Sequence, residues 1–507
     1  MLFRRKQSNR RVYLQECLLV ICVCLTKESI EQNAEIIDRY DGVADVFELR
    51  YDMLSANEKL PEIRTLTKTP VVFTIRLPED GGARRLDPDY FLSMYEKAVD
   101  CGFSYIDLHL PGSGQEQISK DGFGRVVAKA RKHGVNVIRS LHFMNGQPED
   151  IENEFSRLEA ADGDIPKLAV RPKNCRDLLQ IFKLADSRRN SDKIILGMGD
   201  YGFSTRVLTK RLGSMWTYTS PDDGTAAAPG HISPETLQTV YKYEYIKEPD
   251  GILCVIGNPV LHSKSPFIHN TALRKKRLPF VYVPFTVDNL HDFMELAGYL
   301  KIKGVSVTVP YKEKVPAYCD GVSEAVQFTG ACNTLVNDEG VWRGYNTDID
   351  GFMIPFKDFV KRETLAGMLI TVIGAGGGGK GVAYGLKKAG AELLIVNRTV
   401  EKAESLARSI SSEYGDISSA SNEKISKYSD AVVQTTNCGM KGFENLDPLK
   451  EYTFSGRENV FDIVYTPAET VFLKRAKEAG CRIENGERML LEQAKVQFRL
   501  FTGCDFD

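Results

Sequence analysis

The sequence lacks the features that would point to a membrane, nucleic-acid-binding or disulfide-rich protein. No apolar run approaches the roughly 18–20 residues of a membrane span. The 66 Lys and Arg residues face 68 Asp and Glu residues, and a net charge of −2 leaves no basic surplus for nucleic acid. The 11 cysteines are odd in number, form no CxxC motif and often lie in apolar runs, which favours buried thiols in a reducing compartment. We expect no metal site and no nucleic-acid or membrane partner, and the oligomeric state stays open.

The N-terminus combines basic residues with an apolar run, a pattern that superficially resembles a signal peptide. Several Arg and Lys residues between positions 4 and 11 precede LLVICVCL (18–25), but no small-residue cleavage site follows. We therefore predict a basic tail over 1–17, a first β-strand at 18–25 and a cytoplasmic location.

The chain is too long for one ordinary domain, since it has 507 residues. Its first part alternates short β-rich runs with helical patterns, and each repeat can hold a strand, a helix and two loops. The runs are 18–25, 46–52, 71–76, 105–110, 135–142, 166–172, 193–199 and 215–220. Eight such units predict an α/β fold that begins with a (β/α)8 barrel.

The second half also alternates strands and helices, after a charged stretch at 241–250 that reads as a linker. ACNTLV (331–336) and VWRGYN (341–346) are separated by NDEG, which predicts a hairpin. LITVI and ELLIVN flank a glycine-rich turn and a helical pattern, which predicts a strand–turn–helix–strand unit. Apolar residues at roughly helical spacing predict a final helix near the C-terminus.

Polar residues inside the barrel-strand runs are the informative ones, because a barrel interior is normally apolar. Glu48 and Arg50 share one strand face, Arg76 and His142 end their runs, and Lys167 lies in an apolar setting. Active sites of such barrels lie at the carboxyl ends of the strands, so these groups would suit an anionic carbonyl substrate there. A buried lysine beside other cations could attack the carbonyl as a neutral amine and form a Schiff base. The alternative is a lysine that snorkels from a strand end.

GAGGGGKG (374–381) fits the G-x-G-x-x-G pattern, whose glycines let the backbone approach a pyrophosphate at a helix N-terminus. The next strand ends in Asn397-Arg398-Thr399, with Lys402 one turn later. Two cations there suit a 2′-phosphate, so NADP is predicted, whereas the alternative is a solvated basic helix start. The candidate cofactor residues are Gly374, Ala375, Gly376, Gly377, Gly379, Asn397, Arg398, Thr399 and Lys402.

Further candidates lie between the linker and the glycine-rich turn. Ser263 and Ser265 offer hydroxyl donors to a carboxylate, although Ser265-Pro266 could equally open a helix with Ser265 as the N-cap. Lys312 and Asp348 could exchange a proton with a substrate alcohol during hydride transfer, although Asp348 could instead be a helix cap.

The first half of the sequence resembles type I 3-dehydroquinate dehydratase. The motifs are ELRYD (48–52), FTIR (73–76), DGG (80–82), SLH (140–142), DIPKLAV (164–170), MGxxGxxxR (198–206) and APG (228–230). The resemblance implies that Lys167 is the Schiff-base lysine and His142 the general acid/base. It also implies that Glu48, Arg50, Arg76 and Arg206 hold the substrate.

Three positions depart from the family pattern. We expect the carboxylate that pairs with the catalytic histidine two residues after Asp107, where the chain has His109. His231 replaces the glutamine that follows APG on a closing loop, and Phe143 follows His142 where the family commonly has Asp or Asn. These departures predict a misoriented histidine and reduced dehydratase activity.

The second half resembles shikimate dehydrogenase over about 250–507, through the segments above together with GACNT (330–334), Gly439-Met440, DIVYTP (462–467) and Gln493. The resemblance implies that Lys312 and Asp348 are the catalytic pair. It implies substrate contacts by Ser263, Ser265, Thr308, Asn333, Thr347, Tyr465 and Gln493.

Together the two resemblances imply a bifunctional enzyme of the shikimate pathway that dehydrates 3-dehydroquinate and reduces 3-dehydroshikimate with NADPH. The expected domains are the barrel at 18–242, a substrate-binding lobe at 250–353 completed by 481–507, and an NADP-binding Rossmann lobe at 354–480. The alternatives are a shikimate dehydrogenase with an inactive scaffold barrel, and a non-catalytic quinate-responsive regulator. Retention of Lys167, Lys312 and Asp348 argues against the regulator.

Overall fold

The computed structural model describes residues 20–55, 60–110, 120–221, 230–242, 251–417 and 422–507. The predicted tail at 1–17 and most of the predicted linker at 241–250 lie outside these residues. The chain divides into two compact units, one ending at Ile302 and the other beginning at Lys303.

The first unit opens with eight short parallel strands, most of whose residues are buried. They are β1 (Val20–Leu25), β2 (Val46–Arg50), β3 (Val71–Thr74), β4 (Tyr105–His109), β5 (Asn136–Phe143), β6 (Ile165–Val170), β7 (Ile194–Gly197) and β8 (Trp216–Thr219). Each strand pairs with the next from β1 to β7, and β8 pairs with β1. Met215 N donates to Lys193 O at 2.9 Å beside the β7–β8 gap. The eight-stranded barrel predicted from the repeats is confirmed as a nearly closed one.

Amphipathic helices alternate with these strands. They are α1 (Ile30–Tyr40), α2 (Leu60–Leu66), α3 (Pro88–Asp100), α4 (Lys120–Lys132), α5 (Ile151–Glu159), α6 (Cys175–Ser187), α7 (Gly199–Val207), α8 (Thr209–Leu212) and α9 (Pro234–Thr239). Polar side chains cap several N-termini, as Asp87 does by accepting from the backbone N–H groups of Asp89 and Tyr90. Short 3₁₀ turns at Tyr51–Met53 and Pro78–Asp80 follow β2 and β3.

The barrel interior has an apolar cluster toward the amino ends of its strands. Cys22, Val72, Ile138 and Trp216 belong to this cluster, and each is at most 2% exposed. Buried polar side chains follow on the same strands nearer their carboxyl ends. The apolar packing therefore closes one end of the barrel and leaves the functional groups at the other.

The first unit continues with two parallel strands and two helices. The strands are β9 (Gly251–Gly257) and β10 (Phe280–Thr286), and the helices are α10 (Ser265–Lys275) and α11 (Leu290–Tyr299). Ser265 is the first residue of α10, whereas the N-cap is Lys264, so the predicted N-cap is displaced by one residue.

The second unit contains two sheets. The first has β11 (Gly304–Val307), β12 (Gly321–Val322), β13 (Thr334–Asp338) and β14 (Val341–Tyr345). The strands β13 and β14 form the predicted antiparallel hairpin. A 3₁₀ helix at Val315–Tyr318 and the helix α12 (Glu324–Thr329) connect these strands.

The second sheet is parallel, in the order β17-β16-β15-β18-β19-β20. Its strands are β15 (Leu369–Ile373), β16 (Glu392–Asn397), β17 (Glu413–Asp416), β18 (Ala431–Gln434), β19 (Asn459–Asp462) and β20 (Arg482–Glu484). The helices of this unit are α13 (Asp348–Val360), α14 (Gly377–Lys388), α15 (Val400–Ser409), α16 (Asn422–Lys427), α17 (Val471–Glu478) and α18 (Glu487–Thr502). The order reverses beside β15, which is the Rossmann arrangement and places a ligand crevice at the end of that strand. Among the described residues, no helix is long and apolar enough to cross a membrane.

Candidate active sites

Polar groups converge in a cavity at the carboxyl end of the barrel. Its walls come from six of the eight strands and from the segments that follow them. The lining residues are Cys24, Glu48, Arg50, Arg76, Asp80, His142, Met144, Lys167, Ala169, Leu196, Met198, Arg206, Tyr218 and His231. All six barrel residues predicted to act in the site therefore line one cavity.

Lys167 is buried in this cavity and is only 3% exposed. Its Nζ lies 2.7 Å from Asp107 Oδ2, 3.4 Å from Glu48 Oε1 and 4.1 Å from the centre of the Tyr218 ring. Glu48 is held in turn by Thr74 Oγ1, which donates to its Oε1 at 2.9 Å. The side chain does not snorkel out of the barrel, and its amine is fixed at the cavity surface.

Arg76 contacts both His142 and Asp107, and Asp107 in turn contacts Lys167. Its Nη2 lies 2.9 Å from Asp107 Oδ2, and its Nη1 lies 3.0 Å from Ser140 Oγ and 3.1 Å from His142 Nδ1. Burial and the positive charges of Arg76 and Lys167 lower the pKa of His142 well below its usual value. The histidine is therefore neutral near pH 7, and its Nδ1 accepts the hydrogen bond from Arg76, which can only donate.

Asp107 balances these cations. Burial raises the pKa of its carboxyl, but Arg76 and Lys167 outweigh that effect and hold the pKa below the usual value. Ser140 Oγ donates to Asp107 Oδ1 at 2.5 Å. The result is a fully buried carboxylate that orients one lysine and one arginine.

The two other arginines of the cavity differ in how they are held. Arg50 forms a two-pronged pair with Asp52 at 2.9 and 2.8 Å. Arg206 Nη1 donates to Tyr218 O at 3.0 Å, while its buried Nε and Nη2 have no hydrogen-bond partner among the described residues. Burial lowers the pKa of Arg206 to about 10, so it stays charged near pH 7. Unsatisfied guanidinium donors at a cavity wall suit a carboxylate.

His109 does not lie beside His142, so the prediction of a degraded dyad at that position was wrong. It is the last residue of β4, and its ring packs edge-on against Phe91 and Phe123, with centroids 5.5 and 5.4 Å away. Two aromatic rings from the flanking helices hold the imidazole at the carboxyl end of β4. The acidic groups that line the cavity with His142 are instead Glu48 and Asp80, and burial raises the pKa of Asp80 to about 6.

His231 lies in the cavity wall, where Ser220 Oγ and His231 Nδ1 are 2.5 Å apart. Burial, followed by the charges of Arg206 and Arg50, lowers the pKa of His231 well below its usual value. Residues 222–229, which include most of the predicted closing loop, lie outside the described residues. This histidine is positioned as a neutral polar group of the cavity.

The second unit brings Lys312 and Asp348 together. Lys312 Nζ lies 2.7 Å from Asp348 Oδ2, and Asn333 Nδ2 donates to Asp348 Oδ1 at 2.8 Å. Asn333 Nδ2 also donates to Thr347 Oγ1 at 3.0 Å, and Cys332 N donates to Lys312 O at 2.8 Å. Asp348 therefore does more than begin α13, because its carboxylate is shared between a lysine and an amide.

The remaining predicted substrate residues lie on separate segments. Thr308 follows β11, Tyr465 follows β19 and is 37% exposed, and Gln493 lies in α18. A Cβ at Gly351 would lie 2.6 Å from the Gln493 Cβ, so this glycine lets α13 and α18 approach closely. In the first unit, Ser263 Oγ accepts from Ser265 N at 3.2 Å.

The glycine-rich turn after β15 has the geometry that a dinucleotide site needs. A Cβ at Gly379 would lie 2.1 Å from Gly374 O, whereas nothing lies within 4 Å of a Cβ at Gly376. The first position closes the turn, and the second leaves the backbone open at the start of α14, where no side chain caps the helix. Asn397 Oδ1 accepts from Ala375 N at 3.2 Å and fixes the turn to the end of β16.

Arg398 and Lys402 follow β16, as the sequence predicts. Both are exposed, Thr399 lies between them on the surface, and neither cation forms an ion pair with a described residue. The cations at this strand end fit a ribose 2′-phosphate better than a ribose hydroxyl, so the residues present fit NADP.

Sequence reasoning missed several groups of the barrel site. Asp107 and Ser140 lie in strand runs that were recognised, and the rule that polar residues in such runs are informative applies to them equally. Asp80 follows β3 in a 3₁₀ turn and belongs to the DGG motif, but only its place in the cavity points to a role in the site. Tyr218 had no distinguishing signal, because aromatic residues are common in strands.

Comparisons with known proteins agree with this arrangement. The family model for type I 3-dehydroquinase matches residues 21–248, the shikimate dehydrogenase substrate-binding domain matches 255–335, and shikimate/quinate 5-dehydrogenase matches 359–445. The chain is 31% identical over 504 residues to the chloroplastic bifunctional 3-dehydroquinate dehydratase/shikimate dehydrogenase of Arabidopsis thaliana, covering 96% of this chain and 82% of that protein.

Two further proteins are similar to this chain. Shikimate dehydrogenase (NADP⁺) of Caldanaerobacter subterraneus is 39% identical over 259 residues, which is 50% of this chain and 92% of that one. The solved dehydroquinate dehydratase and shikimate dehydrogenase of S. pombe AroM is 22% identical, covers 98% of this chain and 97% of that one, and gives a TM-score of 0.45. On the identity and coverage shared with the Arabidopsis protein, this chain belongs to the family of bifunctional 3-dehydroquinate dehydratase/shikimate dehydrogenases.

Proposed function

We propose that this chain dehydrates 3-dehydroquinate in its barrel and reduces the resulting 3-dehydroshikimate to shikimate with NADPH in its second half. One observation carries the proposal: the same chain holds a buried Lys167 in a cavity of cations and a Lys312–Asp348 pair. The first is suited to imine chemistry on an anionic ketone, and the second to proton transfer at an alcohol oxygen.

The dehydration begins with the Lys167 amine. The ammonium first gives up its proton to a carboxylate of the cavity, the freed Nζ attacks the ketone carbon, and loss of water gives an imine that draws electrons from the adjacent carbon. His142, neutral because of burial and of the charges of Arg76 and Lys167, gives up the hydrogen bond that its Nδ1 accepts from Arg76 and takes the proton from that carbon. The hydroxyl group on the next carbon then takes that proton from His142 and leaves as water, and hydrolysis of the imine returns the free amine.

The cations of the cavity hold the substrate. Arg206 presents unsatisfied N–H groups to the substrate carboxylate, and Arg50, fixed by Asp52, adds a second positive group. Glu48 and Arg76 orient the hydroxyl groups of the substrate, and Glu48 also orients Lys167. His231 adds a neutral polar group to the cavity wall, so its replacement of a glutamine is compatible with binding.

In the second half, Lys312 and Asp348 hold or release the proton at the substrate oxygen that becomes the shikimate hydroxyl. Asn333 keeps the Asp348 carboxylate in place, and Thr347 keeps Asn333 in place. The other substrate ligands of the proposal are Ser263, Ser265, Thr308, Tyr465 and Gln493. When bound, NADPH supplies the hydride for this reduction.

The glycine-rich turn would hold the pyrophosphate of the cofactor, because its backbone is open at the N-terminus of α14. Asn397 and Thr399 would hold the adenosine ribose, and Arg398 with Lys402 would hold its 2′-phosphate. The proposed domains are 18–242 for the barrel, 250–353 with 481–507 for substrate binding, and 354–480 for NADP. A cytoplasmic location is also proposed, since the described cysteines are all free thiols.

The test separates the two active sites by two matched substitutions. Lys167→Met should abolish dehydroshikimate formation while reduction of dehydroshikimate by NADPH stays near normal. Lys312→Met should do the opposite. Borohydride added with dehydroquinate should trap an adduct on the parent protein and none on Lys167→Met, and Lys167→Arg serves as the charge-retaining control.

Three outcomes would contradict the proposal. An adduct that persists in Lys167→Met would mean that another lysine is the nucleophile. Failure of the parent protein to form dehydroshikimate would mean that the barrel is a scaffold. Normal reduction by Lys312→Met would remove the catalytic pair from the mechanism.

A further inference from the structure

Two cysteines lie together beside the Lys312–Asp348 pair. Cys319 follows the 3₁₀ helix at Val315–Tyr318, and Cys332 directly precedes Asn333. Gly344 of β14 packs against both, since a Cβ on it would lie 2.9 Å from Cys319 Sγ and 3.1 Å from Cys332 Sγ. Both sulfur atoms therefore lie against the same point of β14, and both are free thiols.

The two thiols differ in exposure and acidity. Cys332 is fully buried, whereas Cys319 is half-buried and within reach of small solutes. The contact with Cys332 lowers the pKa of Cys319, and the same contact, together with burial, raises the pKa of Cys332. The accessible cysteine is therefore the one that ionises more readily, and a thiolate is the form that reacts with peroxides.

Cys332 is connected to the reduction site through its backbone. Its N–H donates to Lys312 O at 2.8 Å, and the next residue, Asn333, holds the Asp348 carboxylate at 2.8 Å. A displacement of the Cys332 backbone therefore acts on both members of the proton-transfer pair. A small displacement of a catalytic group can cost about 100-fold in rate.

We propose that Cys319 and Cys332 form a peroxide-sensitive disulfide that inactivates the reductase half of the enzyme and leaves the dehydratase half active. The Cys319 thiolate attacks one oxygen of hydrogen peroxide, its sulfur is oxidised to a sulfenic acid, and the other oxygen leaves as hydroxide, which takes a proton. The Cys332 sulfur then attacks the sulfenic sulfur, losing its proton and releasing a second water. The sum is two thiols and one hydrogen peroxide giving one disulfide and two waters, and a dithiol reductant reverses it.

The experiment treats the reduced full-length protein with hydrogen peroxide and measures both activities in the same sample. Peptide mass spectrometry after alkylation should find a cross-link between the peptides of Cys319 and Cys332, lighter by two hydrogen atoms. Reduction of dehydroshikimate should fall by about tenfold or more in step with the cross-link. Dehydratase activity should not change, and dithiothreitol should restore the reductase.

Three cysteine variants make the assignment specific. Cys319→Ser should keep untreated reductase activity. Neither Cys319→Ser nor Cys332→Ser should form the cross-link, and each, compared with its own untreated sample, should resist peroxide. Cys438→Ser, which removes another half-buried cysteine of the same unit, should remain as sensitive as the parent.

Inhibition that persists in both Cys319→Ser and Cys332→Ser would overturn the proposal. So would a complete cross-link with unchanged reductase activity, or inhibition without a cross-link. The activity readout rests on the proposed reductase function, which fails separately if the untreated protein does not reduce dehydroshikimate. The peptide mass still decides in that case whether the disulfide forms.

Discussion

Asp107 gives the sharpest test of the barrel site, because its carboxylate joins the two cations on which the proposed chemistry depends. Asp107→Asn keeps the shape of the side chain but removes its charge. Lys167 and Arg76, now 2.7 and 2.9 Å from Asp107, would retain only Glu48 at 3.4 and 3.9 Å. The new amide would also place its own N–H groups beside Lys167 and Arg76, which can only donate, so at least one hydrogen bond is lost.

The size of the effect follows from burial. The side chains of Asp107, Lys167 and Arg76 are 0, 4 and 5% exposed, so solvent screens them little. Removal of one member of such a buried ion pair costs about 3–5 kcal/mol, because it leaves uncompensated charge. We expect a loss of stability in that range and a fall in dehydratase turnover of about 100-fold, since the amine loses its strongest orienting contact.

Asp100→Asn is the matched control. Asp100 Oδ2 also lies 2.7 Å from a lysine, Lys129 Nζ, but the two side chains are 57 and 26% exposed. The same substitution at the same distance should cost only about 0.2–1 kcal/mol at an exposed pair. Denaturant unfolding followed by circular dichroism gives the stabilities, and formation of the conjugated product gives the turnover.

The pH dependence provides a second check on Asp107. Its pKa is lower in the folded protein than in the unfolded chain, so its contribution to stability is present above the unfolded value of about 3.9. The stability difference between the parent and Asp107→Asn should shrink as the pH falls below about 4. Equal losses for Asp107→Asn and Asp100→Asn, with turnover unchanged, would refute the reasoning.

The remaining predictions concern three other places. His109→Glu should destabilise the barrel by about 2 kcal/mol or more without raising dehydratase turnover, because it buries a carboxylate between two phenylalanine rings. Thermal unfolding gives the stability and a turnover assay gives the activity, and a gain in turnover would contradict the prediction. The double substitution Arg398→Ala and Lys402→Ala should weaken NADPH binding about tenfold or more and leave NADH binding unchanged, since only NADPH has a 2′-phosphate. Titrations with both cofactors measure the two affinities, and equal losses of affinity would contradict the prediction. Burial raises the pKa of Asp462 to about 7, so its contribution to stability is lost as the pH rises from about 4 to 7, and Asp462→Asn should flatten that part of the profile in chemical unfolding.

The strands and the cofactor turn could be predicted because their signals are local. Val46–Arg50 and Ile165–Val170 are runs of strand-forming residues, and polar residues within them stand out. The glycines at 374 and 379 are required by a close approach of backbone to backbone within the same turn. In each case the physical cause lies within a few residues of the signal.

The partner of Lys167 could not be predicted in this way, because it depends on the stagger of the barrel. Lys167 pairs in register with Ser140 of β5, yet its amine reaches across that strand to Asp107 of β4. That contact is set by strand tilt and side-chain length, which no run of residues encodes. The same holds for His109, because alternation along β4 places it with Asp107, whereas helix packing takes the ring to Phe91 and Phe123.

The two sites differ in a way that fixes the order of the proposed reactions. Dehydration needs the ketone of the substrate, because only a carbonyl can form the imine with Lys167 that draws electrons from the neighbouring carbon. Reduction at Lys312 and Asp348 turns that ketone into an alcohol and so removes the group on which the barrel depends. The dehydratase must therefore act first on each molecule. The burial of the two lysines agrees with this division. The Lys167 side chain, which must react covalently, is 4% exposed. The Lys312 side chain is 37% exposed, because substrate and cofactor have still to cover it.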